Sequence, residues 1–249
     1  MSLTVVIAVA LGTALSGFSK TGVPVAGMLS ATILAGALGP TAASGFLVPL
    51  LITGDVMALA LYRQHADWAL LRRITPGVLG GFAIAALGFW LLPITVLTRV
   101  LGVLLLVAVG LEIWRMRSAG VESADAQQAG GGRVAAAVFG SLAGVTTMAA
   151  NAGSAALTVY LVKMRVPVLA FMGTSAWFFA ILNVLKVPVV VALGLTTWST
   201  LVTSAMFLPA LLVGAGLGWF LVRRVDRAVF TRIGLVLSAV GAGWLAVHG

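Results

Sequence analysis

The sequence has no cysteine, which excludes disulfides, thiol nucleophiles and Cys-ligated metals. Charge is nearly as scarce: Asp, Glu, Lys and Arg make up 8% of the 249 residues, where a soluble domain carries roughly 25%. The two histidines, His65 and His248, fall in a loop and at the chain end, so neither is expected to serve catalysis or a metal. Without a His cluster or paired carboxylates, acid–base chemistry has little to work with, and no enzyme activity, cofactor or metal site is expected. The methionines read as lining and packing residues. No stretch is long and polar enough for a soluble domain. The longest polar segment, Arg117 to Arg133, reads as a linker of Gly, Ala, Ser and Gln.

What is present is apolar: 61% of residues are hydrophobic and the mean hydropathy is +1.16. Nearly every window between loops is apolar all round, as an all-α integral membrane protein requires. The net charge of +9 would point to nucleic acid in a soluble protein. Here the basic residues sit in short loops, where they set orientation, so the expected partner is a lipid bilayer and not nucleic acid. The first apolar run follows Met1-Ser2 with no basic region before it, so a cleaved signal peptide is not expected.

Ten apolar segments are read at 3–18, 24–38, 41–61, 68–92, 97–115, 134–149, 153–164, 167–192, 198–222 and 228–247. They are too long and too rich in Leu and Ala for barrel strands. The two halves resemble each other at an offset of about 127–133 residues. Gly39-Pro40 aligns with Val166-Pro167, Trp68 with Trp198, Asp55 with Asn183, and Thr98-Arg99-Val100 with Thr231-Arg232-Ile233. The division is therefore a first transmembrane repeat over 1–116, a linker over 117–133, and a second repeat over 134–249.

Basic residues follow segment three in the first half (Arg63, Arg72, Arg73) but segment nine in the second (Arg223, Arg224, Arg227). Equivalent loops then face opposite sides of the membrane, so the repeats are inverted, as an odd number of segments per half demands. Both termini are expected outside the cytoplasm of a plasma membrane, and the linker inside it. Small residues four apart, Gly77 with Gly81 and Gly214 with Gly218, are candidates for close helix contact, though glycine is common in membrane helices.

Two interruptions hold the same place in each half: Gly17 to Pro24, and Gly144 to Ser154. Paired breaks of this kind are a pointer to a substrate site. Segments one, two, six and seven are read as short of the usual ~20 residues, so pairs one–two and six–seven are either re-entrant hairpins or full spans. As hairpins, they would point the N-termini of segments two and seven inward. Pro24 suits a first helical turn with Thr21 or Gly22 near the cap, and Asn151 is a good N-cap with Ser154 beside it. Unpaired N–H groups and the helix dipole favour an anion there, and Lys20 adds a full charge. The candidate substrate-binding residues are thus Ser19, Lys20, Thr21, Gly22, Pro24, Asn151, Gly153 and Ser154. The plainer alternative is that the breaks are structural and Lys20 snorkels to the surface.

Asp55 and Asn183 lie at equivalent places in segments three and eight, and Lys186 lies one turn beyond Asn183. Intramembrane polar groups of this kind are candidates for gating or charge tuning. A structural pair between Asp55 and either Lys20 or Lys186 is the alternative. Arg63 joins the gating candidates, with a solvated loop pair to Asp67 as its plainer reading.

Several stretches carry a resemblance to a known family. They are Gly17-Phe18-Ser19-Lys20-Thr21-Gly22, Leu47-Val48-Pro49-Leu50-Leu51-Ile52-Thr53-Gly54-Asp55 and Tyr62-Arg63-Gln64-His65-Ala66-Asp67-Trp68 in the first half. In the second half they are Thr146-Thr147-Met148-Ala149-Ala150-Asn151-Ala152-Gly153, Gly173-Thr174-Ser175-Ala176-Trp177-Phe178-Phe179 and Asn183-Val184-Leu185-Lys186-Val187-Pro188. On these the chain resembles the TauE/SafE family of anion exporters along nearly all its length. The resemblance implies transport of sulfite, sulfonates or related organosulfur anions. The chain departs from the family pattern at Thr21, where members often have a second glycine, and near Gly153-Ser154, where they often have a Gly-Pro pair.

The expectation is a secondary transporter that exports a small sulfur oxyanion by alternating access, with an anion channel or a non-transport membrane subunit as rivals. Sequence leaves the anion, the coupling ion and any homo-oligomer open.

Overall fold

The computed structural model describes residues 2–91, 131–150, 153–192 and 194–226, with position 103 and short stretches between 228 and 240. Among these residues there is no strand. Helices α1 (Leu3–Thr21), α2 (Ala26–Leu38) and α3 (Pro40–Tyr62) are followed by a 3-10 turn over Arg63–His65 and by α4 (Trp68–Leu91). From residue 131 onward come α5 (Gly131–Ala150), α6 (Gly153–Lys163), α7 (Val168–Ala192), α8 (Trp198–Met206) and α9 (Leu208–Val222). Nearly all of segment five and of the linker, and most of segment ten, lie outside the described residues.

The helices identify a multi-pass membrane protein. Leu3–Thr21, Ala42–His65 and Val168–Ala192 are long and apolar enough to cross a bilayer, and α8 with α9, bent by 52° at their junction, is long and apolar enough only as a pair. At 1.5 Å per residue, the 19 residues of α1 reach about 28 Å against a hydrocarbon core of about 30 Å. By contrast, α2 has 13 residues and α6 has 11. Each hairpin therefore joins a long helix to a much shorter one, 19 residues to 13 and 20 to 11.

Several boundaries correct the sequence reading. Segment one does not stop at 18; the helix continues through Lys20 to Thr21. Gly17 is not a breaker here. It lies inside α1, where a side chain would strike the Leu211 carbonyl of α9. The terminator is Gly22, whose N–H bonds the Phe18 carbonyl at 2.8 Å. Pro24 lies ahead of α2 rather than in its first turn. Segment six starts earlier than expected, at Gly131. Segment nine is not continuous: it breaks at Phe207, because Pro209 cannot donate to a preceding carbonyl and its ring crowds that turn.

The chain packs as two compact units, one of Met1–Asp67 with Val168–Asp226 and the other of Trp68–Pro167 with Arg227–Gly249. A packing unit and a sequence repeat are different divisions, and each unit draws helices from both halves. In the first unit, α1 packs on α9 through glycine. Gly214 faces the Ala14 carbonyl, and a side chain on Gly218 would come within 2.6 Å of the Phe18 carbonyl. Ser30 of α2 donates to the Gly12 carbonyl of α1 at 2.6 Å, and Val9, Leu34, Phe46, Leu47, Leu50 and Leu211 form the core around them. In the second unit, α4 packs on α5 in the same manner. Gly77 and Gly81 face the carbonyls of Ala137 and Ser141, while Gly140 and Gly144 face those of Ile74 and Val78. Thus the first segment of each half packs on the fourth segment of the other.

The two chain reversals matched in sequence are built differently. Gly39 turns α2 into α3 at φ 84° and ψ 150°, a conformation open essentially to glycine alone. Its counterpart at the end of α6 uses Arg165 at φ 53°, with the Val166 N–H bonded to the Leu161 carbonyl at 3.3 Å. That is a Schellman-type end with a non-glycine residue in the left-handed position. Arg165→Gly is therefore expected to stabilise the protein by about 0.5–1 kcal/mol, less than the full left-handed penalty because glycine also loosens the unfolded chain. Thermal unfolding in detergent measures it; a lower melting temperature would refute it.

Candidate functional site

The polar residues of the first unit converge on one carboxylate. Lys20, on the last turn of α1, forms an ion pair with Oδ1 of Asp55 from the middle of α3. The amide Nδ2 of Asn183, from α7, donates to Oδ2 of the same carboxylate at 2.6 Å. Each oxygen of Asp55 thus takes one donor, an ammonium on one side and an amide on the other. Lys20 Nζ also lies 5.2 Å from the ring centroid of Phe179, one helical turn before Asn183, where the ring face attracts the cation.

Local sequence explains how the lysine reaches this position. Gly54 precedes Asp55, and a Cβ there would come within 2.7 Å of Lys20 Cγ, so the lysine stem lies against the bare backbone of α3. The helix end carrying Lys20 is held on two sides. Thr21 Oγ1 donates to the Ala215 carbonyl of α9 at 2.5 Å, and Tyr62 Oη donates to the Thr21 carbonyl at 2.8 Å. Gly22 packs against Gly218. Ser19 Oγ bonds back to the Ser16 carbonyl at 2.8 Å. The hydroxyls of Ser19 and Thr21 therefore hold backbone in place.

The side chains of Lys20 and Asp55 are only 7% and 5% exposed. Lys20 therefore does not snorkel to a surface. Of the two partners considered for Asp55, Lys20 is the one paired with it. Lys186 is also buried, on α7 beyond Asn183, while Arg63 is exposed in the 3-10 turn, where its carbonyl accepts from Trp177 Nε1 at 3.3 Å.

The free N–H groups expected at the start of segment two are not free. Ala26, Gly27 and Met28 donate to the carbonyls of Val23, Pro24 and Val25 at 3.0–3.1 Å, in tight turns that lead into α2. At this break the full charge is that of the Lys20 side chain, while three N–H groups of the helix start are used in the turns. In the second unit, Asn151 lies outside the described residues. Gly153 and Ser154 open α6, with Gly153 packed against the Thr147 hydroxyl. Ser154 Oγ and Thr158 Oγ1, four residues apart, are buried without a hydrogen-bond partner among the described residues. A buried hydroxyl in that condition has hydrogen-bonding capacity that a water or a ligand can take up.

Gly54, Tyr62, Phe179 and Thr158 were not singled out as site residues in the sequence. A glycine next to an intramembrane aspartate was an available signal for Gly54, and Ser154-x-x-x-Thr158 on a short apolar helix for Thr158. Tyr62 and Phe179 lie in stretches that carry the family resemblance, but their roles depend on contacts between helices that sequence does not give.

Ammonium and amide donors around one carboxylate form an anion cradle. Comparison with known families matches the chain, over residues 2–245, to the family described as Sulfite exporter TauE/SafE. No curated protein and no solved structure matches it.

Proposed function

Because the chain belongs to the sulfite exporter TauE/SafE family, we propose that it is a secondary transporter moving sulfite or an organosulfonate out across the plasma membrane. The observation that carries the reading is the buried Lys20, paired with Asp55, whose other oxygen accepts from Asn183, at the junction of three helices. A cation and one amide donor on either side of a carboxylate position suit a small oxyanion. In the second unit, Asn151, Gly153 and Ser154 are proposed as substrate contacts, on the strength of the buried Ser154 hydroxyl. Arg63 and Lys186 are proposed to tune charge along the path.

The transport cycle is proposed to be alternating access by two inverted repeats. Reciprocal packing supports it, since segment one meets segment nine as segment six meets segment four. The hydrogen bond between the repeat-equivalent residues Asp55 and Asn183 supports it further. Both termini are proposed to lie outside and the 117–133 linker in the cytoplasm, a reading supported by the distribution of Arg and Lys. An inside-negative potential favours exit of an anion by about 2.3 kcal/mol per charge per 100 mV, so export needs no coupling ion.

The test is efflux from proteoliposomes with a panel of sulfite, sulfoacetate and unrelated oxyanions. Saturable flux accelerated by anion on the opposite side is expected, with a loss of about 100-fold in Lys20→Ala. Undiminished flux in that variant would reject the site, and ohmic single-channel currents would replace the carrier by a channel.

A further inference from the structure

We propose that Asp55 is an internal counter-anion, which occupies the oxyanion position beside Lys20 in the empty carrier and gives it up when substrate binds. The inference rests on the anion-carrier reading above and adds how the empty carrier returns. Both carboxylate oxygens are engaged by donors from separate helices, Lys20 of α1 at Oδ1 and Asn183 of α7 at Oδ2. An O–S–O edge of sulfite or a sulfonate presents two acceptor oxygens in a similar way. The cradle is therefore one that substrate can enter only by replacing Asp55 at the ammonium. Gly54 leaves the lysine stem lying against α3 without a side chain between them, so cation and carboxylate meet with no intervening group.

The replacement has a consequence for transport. With Asp55 at Lys20 the empty site is a neutral pair, and a neutral pair can be carried through the occluded state of the return step. Without it, the empty carrier would have to close around a lone buried cation, which is strongly disfavoured. Substrate exchanges one negative charge for another at Lys20, while the released carboxylate keeps the amide donor of Asn183. The loaded site is then more negative than the empty one by the charge of the substrate. The membrane potential consequently acts on the outward, loaded step and leaves the return step neutral.

The experiment compares two fluxes of radiolabelled sulfite from proteoliposomes, net efflux into anion-free buffer and exchange against external unlabelled sulfite. In the wild type both are expected. In Asp55→Asn the empty carrier is trapped, so the ratio of exchange to net efflux is expected to rise at least about tenfold, and external sulfite should restore the release of label. A wild-type ratio in Asp55→Asn overturns the counter-anion while leaving the carrier intact. Wild-type protein that moves neither sulfite nor a sulfonate overturns the carrier reading and the inference with it. A second measurement does not depend on that variant folding. Infrared difference spectra of the wild type with and without sulfite should show a shifted carboxylate band, absent from the charge-free double variant Lys20→Met/Asp55→Asn. Sulfite binding to the wild type with no such shift overturns the proposal as well.

Discussion

Replacing Lys20 by methionine while Asp55 stays is expected to destabilise the protein by about 3–5 kcal/mol, and Asp55→Asn with Lys20 intact by a similar amount. Each single change leaves one charge in a place that is closed to water, since both side chains are more than nine-tenths buried. The double variant Lys20→Met/Asp55→Asn removes both charges and keeps nearly the same volumes. Its stability is expected within about 1 kcal/mol of the wild type, because a buried pair gains little over an apolar one once desolvation is counted. Equilibrium unfolding of the four proteins in mixed detergent micelles closes the cycle. Additive single effects would mean that the two groups do not depend on each other. The same double variant is expected to be inert in transport, which separates the structural role of the pair from its role in binding.

A branched side chain at Gly17 or Gly214 is expected to weaken the fold by about 3 kcal/mol, at the upper end of ordinary overpacking. These two glycines let α1 and α9 approach until backbone meets backbone, Gly17 at the Leu211 carbonyl and Gly214 at the Ala14 carbonyl. A Cβ at either point strikes a carbonyl fixed in a helix, which cannot move aside as a flexible side chain could. Gly216, two residues along the same helix, is exposed, and a Cβ added to it would meet nothing within 4 Å. Gly216→Ala should therefore stabilise α9 by up to about 1 kcal/mol through helix propensity. Melting temperatures of Gly17→Val, Gly214→Val and Gly216→Ala compare these cases directly, and equal effects at Gly214 and Gly216 would contradict the packing described. Because Thr21 and Gly22 follow on the same contact with α9, Gly17→Val is also expected to displace Lys20 and lower flux.

Much of the architecture was legible from local composition. The helices fall close to the apolar segments because hydropathy sums along a contiguous run, and such a run in lipid must satisfy its own backbone. The ends were less legible where glycine and proline have more than one use. Gly17 looks like a helix breaker in sequence, yet it is a packing residue inside α1. Pro209 is hidden in an apolar run but bends the span at Phe207. The first N–H groups of α2 read as free donors, whereas three consecutive turn bonds use them.

The candidate site was legible as a set of residues and not as an arrangement. Lys20, Asp55 and Asn183 stand out because polar groups are rare in such apolar surroundings, and the repeat register set Asp55 opposite Asn183. Their contacts join positions 35 and 128 residues apart, distances over which no helical periodicity carries information. Which lysine would meet Asp55 depended on where α1 ends and how closely α3 lets it approach. Gly22 decides the first, and Gly54 the second.

By itself, then, the sequence determined a helical protein in a membrane, its family, and the few polar side chains available for chemistry. These follow from transfer free energies and short motifs, which are properties of residues and their near neighbours. Only the tertiary structure decided that Lys20 is buried rather than snorkelled, that its partner is Asp55, and that the hydroxyls of Ser19 and Thr21 serve the backbone. The reason is physical: a charge in a bilayer is governed by the nearest opposite charge or donor, and that neighbour is supplied by another helix.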